Sequence, residues 1–240
     1  MISKEKIGLE IAQFLGWDKS SHGEMAMQGD SLKAGLLGAA ALFSAGAAQA
    51  EPSAETLRFA VMRDGQQIGS NTIELRRNGP ETTVQMVTHV QVKIAFVTVY
   101  RFEQTETERW VGGKLMALSA VTNDNGTMHR VKATRANDRL AIEADGKTTE
   151  VAENTIPASL WNPLLLEKTV AFNPQDGAMM PIAVTDRGED QLVVQGRAKR
   201  TRHYVINSAF PQDVWYDDSR QLVKVELKVI DGSTIRYQLG

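Results

Sequence analysis

Three histidines follow residue 50 (His89, His129 and His203), and none lies within ligand spacing of another. Zinc chelation from one segment needs HxH, HxxxH or HExxH, where two imidazoles share a face. His89 falls on the polar parity of its segment, so a solvated imidazole explains it, and no metal is implied. Nucleophilic chemistry has no better footing. There is no GxSxG turn, and Ser159 sits in a proline-rich stretch with no base beside it. His203 with Asp213 or Asp217 leaves open a hydrolase whose site is assembled from distant segments. Asp217-Asp218 reads as a turn between strands, which explains the paired carboxylates without acid–base work. Cysteine is absent, which excludes disulfides, thiolate nucleophiles, cysteine zinc sites and an acylated N-terminal cysteine. The sequence therefore names no catalytic residue and no cofactor.

Two features point to binding instead. Phe96, Tyr100, Phe102, Trp110 and Trp161 are the candidates to line a ligand cavity, because such pockets are mostly apolar with a few polar groups. The same rings would serve equally in a closed core. Arg197, Lys199, Arg200, Arg202 and His203 form the densest basic run, and the charges fall on both parities. That pattern predicts an edge or a protruding strand end. It would be either solvated against aggregation or a dock for an anionic headgroup or acidic partner. Overall, 27 basic residues face 29 acidic ones for a net charge of −2, which gives no field for nucleic acid.

The elements that must position these residues read as strands. Leu57, Phe59 and Val61 alternate up to Asp64-Gly65, a hairpin signal, and Ile68 to Leu75 returns until Asn78-Gly79-Pro80. Val84, Met86, Val90, Val92, Ile94 and Phe96 share one parity, the period-two mark of a half-buried strand. Strands are expected at 97–111, 115–122, 128–134 and 140–144, separated by Gly112-Gly113, Asn123 to Gly126, and the residues after Thr134. Ile156 to Glu167 breaks the pattern with two prolines, predicting short helical turns from Pro157 and Pro163. Strands resume at 179–185, 191–195, 199–207 and 214–216, and a closing hairpin joins 222–230 to 234–239 through Asp231-Gly232. The fold class is mainly β: a strongly curved antiparallel sheet or incomplete barrel of about a dozen strands with one short helical segment.

The N-terminal quarter reads differently. Lys33 precedes an uncharged run from Ala34 to Ala47, which ends at Ala48-Gln49-Ala50 before Glu51-Pro52. This is a signal-peptide pattern, and its run is shorter than the roughly 20 residues of a spanning helix. The expectation is a signal peptide over 25–50, cleavage between Ala50 and Glu51, a periplasmic or secreted product, and no permanent membrane span. Residues 1–24 then form an upstream extension, explained if translation starts at Met25 or Met27. Residues 51–240 form a single antiparallel β domain, long enough to build its core without cross-links.

Glu108 to Leu115, Thr122 to Gly126, Trp161-Asn162, Trp215 to Asp217 and Leu222 to Lys224, taken together, resemble an uncharacterised family of secreted proteobacterial β-sheet proteins. That family is known only as a domain of unknown function, and the likeness spans 55–240. The resemblance implies an architecture similar to the lipoprotein-carrier type, a curved sheet around a hydrophobic cavity, and it implies no activity. The expected function is a periplasmic, non-enzymatic carrier for a hydrophobic or amphipathic molecule such as a lipid. The alternatives are a structural or partner-docking protein of the cell envelope and the dispersed-site hydrolase.

Overall fold

A computed structural model of the chain describes residues 51–208, 210–229 and 231–240. The segments expected to be an upstream extension and a signal peptide lie outside the described residues. Eight strands come first: β1 (Ser53–Arg63), β2 (Gln66–Asn78), β3 (Glu81–Ile94), β4 (Val97–Val111), β5 (Lys114–Asp124), β6 (Thr127–Ala136), β7 (Arg139–Ala144) and β8 (Lys147–Ala152). A crossover follows, containing a 3-10 turn (Pro163–Glu167) and the short strands β9 (Val170–Phe172) and β10 (Met179–Pro181). Five more strands close the chain: β11 (Ala183–Val194), β12 (Arg197–Asn207), β13 (Gln212–Asp217), β14 (Leu222–Lys228) and β15 (Thr234–Leu239).

Thirteen of these form one antiparallel sheet in the order β11-β12-β13-β14-β15-β1-β2-β3-β4-β5-β6-β7-β8. The chain is a meander on each side of the crossover, and the β1–β15 ladder (Phe59↔Leu239 to Arg63↔Ile235) joins its two halves. β8 and β11 remain as edges. Tight turns set each register. Asp64 and Gly65 both take positive φ between β1 and β2, the arrangement that matches the twist of the flanking strands.

The sheet must curl strongly. Ser159 and Leu160 are consecutive, yet Ser159 Oγ contacts Glu108 of β4 while the Leu160 carbonyl accepts from Tyr216 Oη of β13 at 2.7 Å. β4 and β13 are six positions apart in the sheet, about 29 Å if it were flat at about 4.8 Å per strand. No side chain reaches that far, so the crossover lies inside a trough whose walls both touch it. The main core fills this trough. Phe59, Ile73, Val84 and Met86 meet Leu140 and Ile142 from one wall and Val214, Tyr216 and Val225 from the other, around Ile156, Leu165, Ala171 and Phe172 of the crossover.

Two expectations about the elements need correction. The chain at Pro157 is extended rather than helical. Pro157 bridges Phe172 in parallel, and Ala158 donates its N–H to the Phe172 carbonyl at 2.8 Å, so tertiary pairing overrides the proline signal. The helical turn from Pro163 does form, capped by Asn162 Oδ1, which accepts from Leu164 N–H at 3.1 Å. The run 179–185 divides at buried Ile182: β10 pairs with β9 in the crossover, while β11 joins the main sheet.

Candidate functional site

Along β4 the even-numbered residues face the trough, and three of them beyond Phe102 are polar: Gln104, Glu106 and Glu108. Glu106 and Glu108 are fully buried, 3% and 0% exposed, where an ionised carboxylate is costly unless donors surround it. Glu108 has those donors. Trp110 Nε1 donates at 2.6 Å and Trp161 Nε1 at 3.0 Å to Oε2, and Ser159 Oγ lies 2.5 Å from Oε1. Glu106 has only Ser159 Oγ, at 3.2 Å, and its neighbour Glu108. A serine has one proton for two carboxyls. It donates to the nearer Glu108, and Glu106 is left with the longer contact.

The charges follow from this. Burial, and then the adjacent Glu108 charge, push Glu106 well above the ordinary carboxylate range, so it holds its proton. Burial raises Glu108 as well, only in part offset by the bonds from Glu106, Ser159, Trp110 and Trp161. Glu106, with the fewer donors, is the member held more strongly neutral, and Glu108, with the more, is the better seat for a negative charge. Trp110 and Trp161 support it edge-to-face, with centroids 5.9 Å apart and planes at 85°.

Glu106 also lines a cavity of about 170 Å³ between the sheet and the crossover. Phe59, Ile73, Met86, Phe102, Leu222 and Val225 give it apolar walls. Asn71, Thr88, Gln104, Glu106, Ser159 and Asn173 add polar groups. Asn71 Nδ2 donates to Thr88 Oγ1 at 2.7 Å. Gln104 Nε2 is buried with no protein acceptor in reach. An orphaned donor of this kind costs about 1–3 kcal/mol and is satisfied by water or by a ligand.

Such a site can hold a small molecule that is apolar over most of its surface and hydrogen-bonding at one end, and Glu106 can give or accept a proton there. It is poorly built for acyl transfer. Ser159 has its hydroxyl committed to a carboxylate, far too weak a base to take that proton. His203 lies on the opposite face of β12, stacked on Trp215 with centroids 4.3 Å apart and 2.6 Å from Asp213. His89 is exposed on β3, and His129, on the inward parity of Val131 and Ala133 with its side chain only 12% exposed, has its Nδ1 2.7 Å from Asp145 Oδ2.

The five candidate rings separate. Phe102 and Trp161 line the cavity. Trp110 stands behind it as a donor to Glu108. Tyr100 packs in a second core with Val61, Val92 and Ile235, and its hydroxyl donates to Asp124 at 2.8 Å. Phe96 leaves the concave face altogether, because β3 stops at Ile94 and the chain turns at Ala95-Phe96, which exposes the ring completely. The basic run is also corrected. β12 is not an edge, since β11 covers it, and Lys199, Arg200 and Arg202 pair with Asp217, Asp218 and Asp186.

Solved structures include a relative of this fold: the beta-barrel-like protein of domain of unknown function DUF1849 from Brucella abortus. It matches with a TM-score of 0.58 and 10% sequence identity over 77% of this chain and 94% of that one. At that identity the likeness concerns the fold. No curated protein matches the sequence. The family model described as domain of unknown function DUF6134 matches residues 59–240, nearly the whole sheet and all of the crossover, and the chain belongs to that family.

Proposed function

We propose that the chain is an exported, non-enzymatic binding or carrier protein, and that its cargo is a small amphipathic molecule held between β4 and the crossover. One observation carries this reading: a cavity of about 170 Å³ with apolar walls, lined at its polar end by the buried carboxyl of Glu106 and by Gln104, whose Nε2 has no protein acceptor. A dry cavity of about 150 Å³ accepts a benzene-sized guest, which sets the scale of the buried part. A larger molecule would leave its remainder outside the mouth. The carrier-type resemblance and the Ala48-Gln49-Ala50 pattern support the same role in the periplasm.

The test is a solution titration with phenol and with cyclohexane, read by the fluorescence of the tryptophans. Phenol should bind the more tightly, because its hydroxyl can meet Gln104 and Glu106. Ala158→Phe, which fills the cavity from the crossover side, should abolish the signal while thermal unfolding stays cooperative. Equal binding of both probes by wild type and Ala158→Phe would place the guest elsewhere and reject the reading.

A further inference from the structure

Five hairpins of the sheet turn through two residues with positive φ, the second being glycine: Asp64-Gly65, Gly112-Gly113, Asn125-Gly126, Asp145-Gly146 and Gln195-Gly196. The β3–β4 hairpin makes the same turn with Ala95 (φ 47°) and Phe96 (φ 70°). A bulky L-residue is strained in that region, where glycine is at ease. The ring gains nothing within the fold in return, since Phe96 is 100% exposed and Val97 beside it is 50% exposed.

The hairpin also projects. β2 leaves β3 at Gly69↔Val90, and β5 leaves β4 at Phe102↔Asp124, so the ladder beyond is formed by Gln91 to Arg101 alone, with Asn125 N–H donating to the Arg101 carbonyl at its base. The base is fixed: Val92, Val99 and Tyr100 are buried against Val61, Leu227 and Ile235. The tip is not covered, and its composition is specific. Between Gln91 and Arg101 there are two cations, Lys93 and Arg101, both exposed, and no acidic residue.

We propose that this tip docks on an anionic phospholipid surface, with Phe96 and Val97 entering the interface and Lys93 and Arg101 meeting the lipid phosphates. An apolar point flanked by cations fits such a surface, because the anionic charge draws in the shoulders and the acyl boundary receives the ring. A protein partner is the competing occupant, and the experiment separates the two. The inference stands apart from the cavity reading, since no residue of the tip lines the cavity.

The experiment is co-flotation of the protein, in the form purified from cells expressing the full chain, with vesicles of phosphatidylcholine with or without phosphatidylglycerol. Wild type should float with the phosphatidylglycerol vesicles and lose this in high salt. Phe96→Gly should weaken flotation on the order of tenfold or more, as expected for withdrawing one buried aromatic ring. Lys93→Gln and Arg101→Gln should each weaken it about fivefold. Because glycine relieves the turn, Phe96→Gly should melt at or above the wild-type temperature, so lost flotation cannot be ascribed to unfolding. Unchanged flotation of Phe96→Gly, or flotation indifferent to phosphatidylglycerol, overturns the proposal. A tip that floats with neither vesicle but cross-links to one protein through position 96 also overturns it, in favour of the partner.

Discussion

Replacing Glu106 by glutamine isolates the buried proton. Glu106→Gln keeps the shape of the neutral acid and can still donate to Glu108, but it cannot titrate. In the folded wild type, burial and the Glu108 charge hold Glu106 well above 4.5, whereas in the unfolded chain it ionises near that value. The folded state then binds one more proton than the unfolded state throughout the interval above 4.5. Stability therefore falls as pH rises, by about 1.4 kcal/mol per pH unit for as long as the proton is held. Carboxylates held low act on the other side. Asp217, Glu226 and Asp231 contribute fully above ordinary carboxylate values and lose that contribution only as pH drops through their folded range. Asp124 and Asp176, raised by burial, titrate alike in both proteins and cancel in the difference. For a domain of this size, 1 kcal/mol moves Tm by about 2–4 °C. The melting temperature of Glu106→Gln should therefore gain about 3–6 °C on wild type for each pH unit above about 5, until Glu106 ionises. Scanning calorimetry over a pH series measures this. Parallel curves, or a variant less stable than wild type at every pH, would mean that Glu106 is ionised in the fold, and the reasoning about the pair would fail.

Three further outcomes follow from the geometry. Trp161→Phe removes one donor from Glu108 and should cost about 1–3 kcal/mol at neutral pH. The loss should shrink in acid as Glu108 protonates, and chemical denaturation at two pH values would show it. Tyr216→Phe removes the bond that ties β13 to the Leu160 carbonyl. It should cost about 1 kcal/mol by denaturant titration and speed proteolysis of the crossover. Gly69→Ala places a Cβ 2.0 Å from the His89 carbonyl oxygen, where β2 and β3 approach each other closely. It should destabilise by about 1–3 kcal/mol, measured by thermal melting.

Much of the sheet was legible because its signals are local. Alternation in Leu57 to Val61 and Val84 to Val92, with Asp-Gly or Asn-Gly at the turns, defines strands and hairpins without any knowledge of partners. The short helix after Asn162 was readable for the same reason, since proline in the first turn is a local preference. The extended course at Pro157 was not, because it depends on Phe172, fifteen residues away. Nor was the fate of Phe96, because strand parity does not say where a strand stops. The carboxyl pair could have been seen in part. Gln104, Glu106 and Glu108 share parity with Tyr100, Phe102 and Trp110, so two consecutive inward positions carry acid groups. Their partner Ser159 lies more than fifty residues away on the crossover, and no spacing rule links it to them. The basic run misled because strand charge was weighed without its cross-strand acids, Asp186 and Asp217, which only the ladder brings alongside.

Occupancy of the cavity decides the account most directly. Native mass spectrometry of the protein isolated from cells, without denaturation, should find a fraction carrying a small organic adduct. That adduct should be released on unfolding and missing from Ala158→Phe. The same spectra should give a mature mass beginning at Glu51. A bare protein in every preparation, with no uptake of phenol or any other small amphipathic probe, would contradict the carrier reading and leave the space beside Glu106 as an unfilled part of a structural core.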